Sequence, residues 1–349
     1  MVDGIQLSDP SSIANDFDLR LLPLSTVESI EIIKGASSTL YGSGAAAAVI
    51  NITTKDPGLE DLNLTVQSIL ATNQNQEEQD YEVARFDNSV AVSGRNSGFN
   101  YQLIYTNRYS GSMSAVESPE GESAFEDNPF GKNNVLGKIG YKFNNKLDFQ
   151  IYGNYDSFNS SFDDAFLYAD ANNQLESEQI RVGSHWEYDY GNGSLIFNDS
   201  YSELEREIKS DFPTRYDSKA YAFDIYNKYI FNEKFHTLIG VNGNFSSFNS
   251  YSIPFGQEDF NISVDDEKAN FDIVDPYVNL VFISGTGLNI NTGARLNIHS
   301  EYGQNWIYSI NPSYTTSVGA GTLKFLTSFS TAYITPSLYQ LFDPNYGNE

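Results

Sequence analysis

The sequence predicts an all-β fold: part of a transmembrane antiparallel β-barrel, preceded by a compact α/β module. Three observations carry this. Apolar and polar residues alternate with period two over repeated segments of roughly 10–15 residues. The segments are joined by tight turns and long polar connections in turn. Tyr and Phe, 24 of each in 349 residues, enrich the chain in strand-favouring aromatics.

The clearest segment runs from Leu288 to His299. Leu288, Ile290, Thr292, Ala294, Leu296 and Ile298 fall on one face, and Asn289, Asn291, Gly293, Arg295, Asn297 and His299 on the other. Phe99, Tyr101, Leu103 and Tyr105 oppose Asn100, Gln102 and Thr106, and Leu147, Phe149, Ile151 and Tyr155 oppose Asp148, Gln150 and Asn154. Short breaks such as Asn96-Ser97-Gly98, Asn144-Asn145-Lys146, Gly191-Asn192-Gly193 and Gly285-Thr286-Gly287 carry residues that tolerate positive φ, as hairpin turns require. Longer polar breaks are expected near 73–81, 110–130, 159–177, 208–219, 249–269 and 299–304. Roughly thirteen strands result from this pattern.

A soluble sandwich would bury one face of each strand, but the polar faces here carry Asn, Gln, Asp, Lys and Arg, which a dry core cannot satisfy. A membrane barrel reverses the arrangement: apolar outside, polar inside, tight turns at the periplasmic end and long loops at the other. Tyr105, Tyr109, Tyr152, Tyr155, Trp186, Tyr188, Tyr229, Phe231 and Trp306 are expected in its interfacial girdles.

Composition excludes several classes. A net charge of −26 argues against nucleic acid as a partner. Without cysteine there is no disulfide scaffold, thiolate metal site or cysteine nucleophile. No apolar run is long enough for a membrane-crossing helix, which leaves barrel strands open. Residues 1–20 lack the basic start and apolar stretch of an export leader, so an exported protein with this N-terminus is expected to be processed or to begin internally.

Residues 1–57 differ from the rest. Val27 to Ile33 and Val49 to Thr53 read as short strands around Lys34-Gly35 and the small-residue stretch Tyr41 to Ala48. Gly42-Ser43-Gly44 is no dinucleotide loop, because the third glycine is missing and a strand follows, and Lys34 lies on the wrong side of the glycines for a P-loop. Residues 26–55, TVESIEIIKGASSTLYGSGAAAAVINITTK, instead resemble the end of the plug domain of TonB-dependent outer-membrane receptors. Val27, Ile30, Glu31, Ile33, Lys34, Gly35, Ser38, Leu40, Tyr41, Gly42, Ala45, Val49, Ile50, Asn51, Ile52, Thr54 and Lys55 carry the resemblance, with Asp3-Gly4-Ile5 and Asp9-Pro10 ahead of it. Ala46-Ala47-Ala48 departs from the family's glycines but keeps the small size.

The resemblance implies the C-terminal part of a plug over residues 1–57 and the first part of a barrel of about 22 strands over 58–349. The chain is then expected to begin within the plug and to stop after about thirteen strands, with two open edges. The implied setting is the outer membrane of a Gram-negative bacterium and its lipid. The implied activity is active uptake of a scarce nutrient, powered by TonB through a segment ahead of residue 1. Lys34, Gly35, Tyr41, Gly42 and Asn51 become plug framework rather than catalysts.

Residues 331–349, TAYITPSLYQLFDPNYGNE, resemble a stretch shared by the cobalamin, colicin-type and some siderophore receptors, which makes cobalamin the preferred substrate and a ferric siderophore the alternative. Tyr339, Gln340 and Tyr346 are the candidate ligand contacts. In the cobalamin branch, loop aspartates bind calcium, and the resemblance extends to Arg215-Tyr216-Asp217-Ser218. Asp163, Asp164, Asp170, Asp211 and Asp217 are therefore the candidate oxygen ligands for Ca²⁺, which takes 6–8 oxygens. No cofactor is otherwise required.

His185, His236 and His299 fall in separate strands without metal-ligand spacing. His185 and Asp189 would stand more than about 12 Å apart at roughly 3.3 Å per residue, too far for a catalytic pair. The expectation is no enzyme. A passive porin or an adhesion barrel remains the other class, with residues 26–55 counting against it.

Overall fold

The computed structural model describes the chain apart from residues 36–37, 46, 59, 75–82, 112, 115, 121–124, 145, 165 and 344–349. Two separate sheets are present. The small one pairs β1 (Val27–Lys34) with β2 (Ala48–Thr54), with the short helix α1 (Ser38–Tyr41) in the connection. Residues 1–3 lie along the other edge of β2: the Ile52 amide donates to the Met1 carbonyl and the Asp3 amide to the Ile52 carbonyl, both at 2.9 Å. Val2, Leu22 and Ile52, with Leu7, Phe17 and Val27, form the apolar centre of this N-terminal module.

The large sheet begins with β3 (Asn63–Ala71), β4 (Arg85–Asn96), β5 (Phe99–Ser110), β6 (Phe130–Phe143) and β7 (Leu147–Asp164). It continues with β8 (Ala169–Asp189), β9 (Gly193–Lys209), β10 (Thr214–Phe231), β11 (Phe235–Ser252), β12 (Asn261–Val264) and β13 (Asn270–Ile283). It ends with β14 (Leu288–His299), β15 (Gly303–Val318), β16 (Gly321–Leu326) and β17 (Phe329–Ser330). Thirteen strands form an unbroken antiparallel path from β3 to β16, with β12 added to β11 and β17 to β15. Sequence neighbours pair because each tight turn returns the chain beside itself. At one such turn Asn232 and Glu233 both adopt positive φ, 51° and 55°, the conformation that matches strand twist.

Alternation decides which face is which. On β5, Leu103 and Tyr105 are exposed while Gln102, Ile104 and Thr106 are buried. The outward face is the apolar one, as a lipid-facing wall requires. The module bonds both to β6 and to β14–β15, far apart along the sheet, so the sheet curves around it with its polar face inward.

Two expectations need correction. The polar stretches at 159–177 and 208–219 are mostly strand: β7 and β8 leave only 165–168 between them, and β9 and β10 only Ser210–Pro213. Ladder hydrogen bonds extend a strand beyond the apolar band wherever its neighbour extends too, whatever the side-chain polarity. Tyr152 is not a girdle residue. It faces inward, its ring lying over Gly183, where an added Cβ would come within 2.5 Å of the Tyr152 hydroxyl. Tyr105, Tyr109, Tyr155, Trp186, Tyr188, Phe231 and Trp306 are exposed on the outer face.

Candidate functional site

The candidate site is the space between the N-terminal module and the inner wall, together with the mouth above it. Among the described residues, four wall cations reach into the body of the module, and a fifth, Arg95 of β4, pairs with Asp56 at its end at 3.0 Å. From β14, Arg295 donates to the Leu40 carbonyl at 2.8 Å and the Thr39 carbonyl at 3.3 Å, while Asp275 of β13 holds it at 2.8 Å. Both side chains are almost fully buried, at 1% and 2% exposure. From β9, Arg206 meets Asp9 at 2.6 Å and the Ser11 carbonyl at 3.1 Å. From β6, Lys132 donates to the carbonyls of Arg20 and Leu22 at 2.9 and 3.1 Å, and Lys138 pairs with Asp3 at 3.2 Å and bonds Thr54. The module is therefore held largely by charge-assisted hydrogen bonds, which water can replace when it moves.

A second attachment comes from above. After β17 the chain leaves the sheet and crosses the module as a strap. The Thr335 amide donates to Ser43 Oγ at 3.0 Å, and Ser337 Oγ donates to the Ile13 carbonyl at 2.7 Å. The strap ends in helix α2 (Leu338–Phe342), begun by a reciprocal capping box between Ser337 and Gln340. Leu338 is fully buried with Phe248, Val264, Ala269, Phe271 and Ile273.

The sequence-derived residues fall as follows. Tyr339 stacks on Phe248 and meets Tyr216 at a tilt, at centroid distances of 6.4 and 6.2 Å. Burial, with Tyr216 and Asp343 nearby, raises its phenol pKa. Gln340 spends its side chain on the helix cap, accepting from the Ser337 amide at 3.2 Å. Tyr346 lies outside the described residues. In the module, Gly42 takes φ 78°, a conformation that favours glycine, and a Cβ there would press on Arg295 Nη1 at 3.1 Å. The Gly35 amide closes the β1–β2 connection on the Ala47 carbonyl at 2.8 Å. Lys34 pairs with Ala48, and Asn51 stands opposite Glu31. Tyr41 is half-buried, and burial followed by the Glu31 charge raises its pKa.

Asp163, Asp164, Asp170 and Asp211 line one open cavity of about 820 Å³ at the mouth. Asp217 does not join them: it lies in β10 beside Arg215, at 3.6 Å, because β10 begins three residues earlier at Thr214. Asp163 accepts from Ser114 and Asn128, at 2.6 and 2.7 Å, and Asp164 caps the turn at Phe166 and Leu167. The donors suit calcium chemically, but among the described residues no three carboxylate or histidine groups gather closely enough to hold a metal ion. His185 bonds Asn198 at 2.6 Å, and His299 packs between Phe271 and Tyr302.

The four wall cations were not singled out by sequence reasoning. The available signal was a basic residue at an inward strand position in a chain with 20 basic and 46 acidic residues.

A β-wall with an apolar exterior, wrapped around a folded polar-bound module, defines a plugged outer-membrane barrel. Residues 1–49 match the model of the TonB-dependent receptor plug domain. The vitamin B12 transporter BtuB of Vibrio cholerae is 25% identical over 377 aligned residues, covering 100% of this chain and 53% of that protein. BtuB of Photobacterium profundum is 26% identical over 167 residues, 48% of this chain and 25% of its own length. Among solved structures, the siderophore receptor PirA of Acinetobacter baumannii superposes with a TM-score of 0.70 at 16% identity, covering 97% of this chain and 54% of that one. The ferric enterobactin receptor PfeA, in complex with BCV-L6, gives a TM-score of 0.69 at 16% identity, covering 99% and 56%. The plug-domain match, the likeness to BtuB and the shared fold together support a TonB-dependent receptor of the Gram-negative outer membrane. The chain spans about half the length of the BtuB protein of Vibrio cholerae that it matches from end to end.

Proposed function

We propose that the complete receptor takes up a scarce nutrient across the outer membrane, closed at rest by the plug and opened by work delivered through TonB. The carrying observation is the plug's attachment by Arg295, Arg206, Lys132 and Lys138: bonds that hold it in place yet can be exchanged for water. Cobalamin is the preferred substrate, supported by the BtuB alignment along the whole chain. Calcium at Asp163, Asp164, Asp170 and Asp211 belongs to the same reading, and would require the loops to draw together.

A ferric siderophore is the second reading. It is supported by the structural likeness to the siderophore receptor PirA and the ferric enterobactin receptor PfeA.

Titration of the complete receptor with cyanocobalamin, with and without calcium, tests the preferred reading. Tight, calcium-strengthened binding is expected. No binding under either condition, with binding of a ferric catecholate instead, would transfer the assignment to siderophores and leave the aspartates as solvated loop residues.

A further inference from the structure

The outward face of the wall changes character along a line. On β5 to β8, Tyr105, Val135, Tyr155 and Ile180 pair directly from strand to strand and form the last apolar row. The next outward row toward the long-loop end is Asn107, Asn133, Ser157 and Glu178. The one after it is Tyr109, Gly131, Asn159 and Glu176. The tight-turn end of the same face has no such step, since it closes on the aromatic row Phe99, Tyr141, Phe149 and Trp186. A lipid-facing wall meets headgroups where its apolar rows stop. The two polar rows therefore stand at headgroup level on the long-loop side, which faces the cell exterior.

These rows enclose a groove of about 420 Å³ on the outer surface. Its floor is Gly131, whose φ is not positive and where an added Cβ would meet no atom within 4 Å. One side is the Phe86–Tyr109 pair, stacked at 5.4 Å, with Tyr109 exposed. The other side is Asn159, which donates to Glu176 at 3.3 Å, while Lys209 pairs with Glu176 at 2.6 Å. Nearer the apolar band, Asn133 Oδ1 accepts from Asn107 at 2.8 Å and from Tyr105 at 3.2 Å, which leaves its amide nitrogen to donate outward. Glu178 is exposed at the same edge. The cations nearest the floor turn away: Lys132 reaches inward to the plug, and Arg108 pairs with Asp87 at 3.9 Å.

An aromatic face beside amides and carboxylates matches a sugar ring. The C–H face of a sugar packs on an aromatic ring, and its hydroxyls donate to carboxylates and accept from amide N–H groups. A phosphate would meet Glu176 and Glu178, a like-charge encounter. We infer that this groove binds the saccharide headgroup of an outer-leaflet glycolipid. Tyr109 is the stacking platform, and Asn133, Asn159 and Glu178 are the hydrogen-bonding groups. The inference rests on the outer-membrane setting and is independent of which nutrient the receptor takes up.

Titration of the complete receptor in detergent with rough-type lipopolysaccharide, read by native mass spectrometry, tests it. Gly131→Leu fills the groove without displacing a neighbour and is expected to weaken retention at least tenfold. Tyr109→Ala is expected to do the same. Gly137→Leu is the matched control, on the same strand and outward face and also with no atom within 4 Å of a Cβ, but inside the apolar band. It should leave retention unchanged. Heat-modifiable migration on a gel checks that each variant forms a closed barrel. Glycolipid stripped of its phosphates is expected to bind as well as the parent. Unchanged retention in both groove variants with closed barrels overturns the inference, as does an equal loss in Gly137→Leu. Loss of binding on removing the phosphates, or equal retention of phosphatidylglycerol, overturns it in favour of a phosphate contact.

Discussion

Replacing Arg295 with methionine removes the cation that joins wall and plug while keeping most of the side-chain volume. Asp275 would be left 2% exposed with Asn297 as its remaining side-chain donor, and the carbonyls of Thr39 and Leu40 would lose their partner. Removing one member of a buried ion pair costs about 3–5 kcal/mol, because the other charge stays buried without compensation. If that cost falls on local opening of the plug turn, amide exchange there accelerates by roughly 150- to 5,000-fold, at 1.36 kcal/mol per factor of ten. The reporter is the Gly42 amide, which donates to the Ser38 carbonyl at 3.0 Å inside that turn. Hydrogen exchange of the complete receptor in detergent reads it directly. The companion double substitution Arg295→Met with Asp275→Leu should recover most of the protection, since it leaves no lone charge. Unchanged Gly42 protection in the single variant, with the barrel intact, would refute the claim that this pair fastens the plug.

Other perturbations test the remaining elements. Ser337→Ala removes the cap of α2 and the strap's bond to Ile13; a cost of about 1 kcal/mol should raise exchange at the Leu341 amide roughly fivefold. Asp9→Ala strips Arg206 of its 2.6 Å partner and should loosen the Ser12 amide by about 1.5–3 kcal/mol in the same experiment. Leu103→Arg places a charge on the exposed apolar face and should destabilise the barrel in liposomes by up to ~2–4 kcal/mol in a urea titration. Asn159→Arg, beyond the apolar band, should cost at most ~1 kcal/mol.

The fold was legible because a barrel wall is written locally. Leu288 to His299 alternates without error, and each tight turn announces itself by residues such as Asn232, so pairing order follows from sequence order. Strand length was less legible. Beyond the apolar band both faces are polar, and Glu176 or Lys209 reads as loop although its ladder continues. The site was legible mainly as a motif. Gly42 stood out, but the Arg295 that packs against it lies more than 250 residues away in sequence and is invisible to local pattern. Gln340 looked like a ligand contact because polar residues at a mouth usually are, whereas it caps its own helix. Asp163, Asp164, Asp170 and Asp211 line one cavity, whereas Asp217 stands apart because β10 begins earlier than the polar pattern suggests.

The central claim is that polar bonds from the wall hold a plug that closes the barrel. The most direct measurement is small-solute flux through liposomes containing the complete receptor, compared with a variant lacking residues 1–57 and any plug residues ahead of them. A tight intact receptor and a leaky plugless one are the expected pair. Free passage through the intact receptor without TonB would contradict the account.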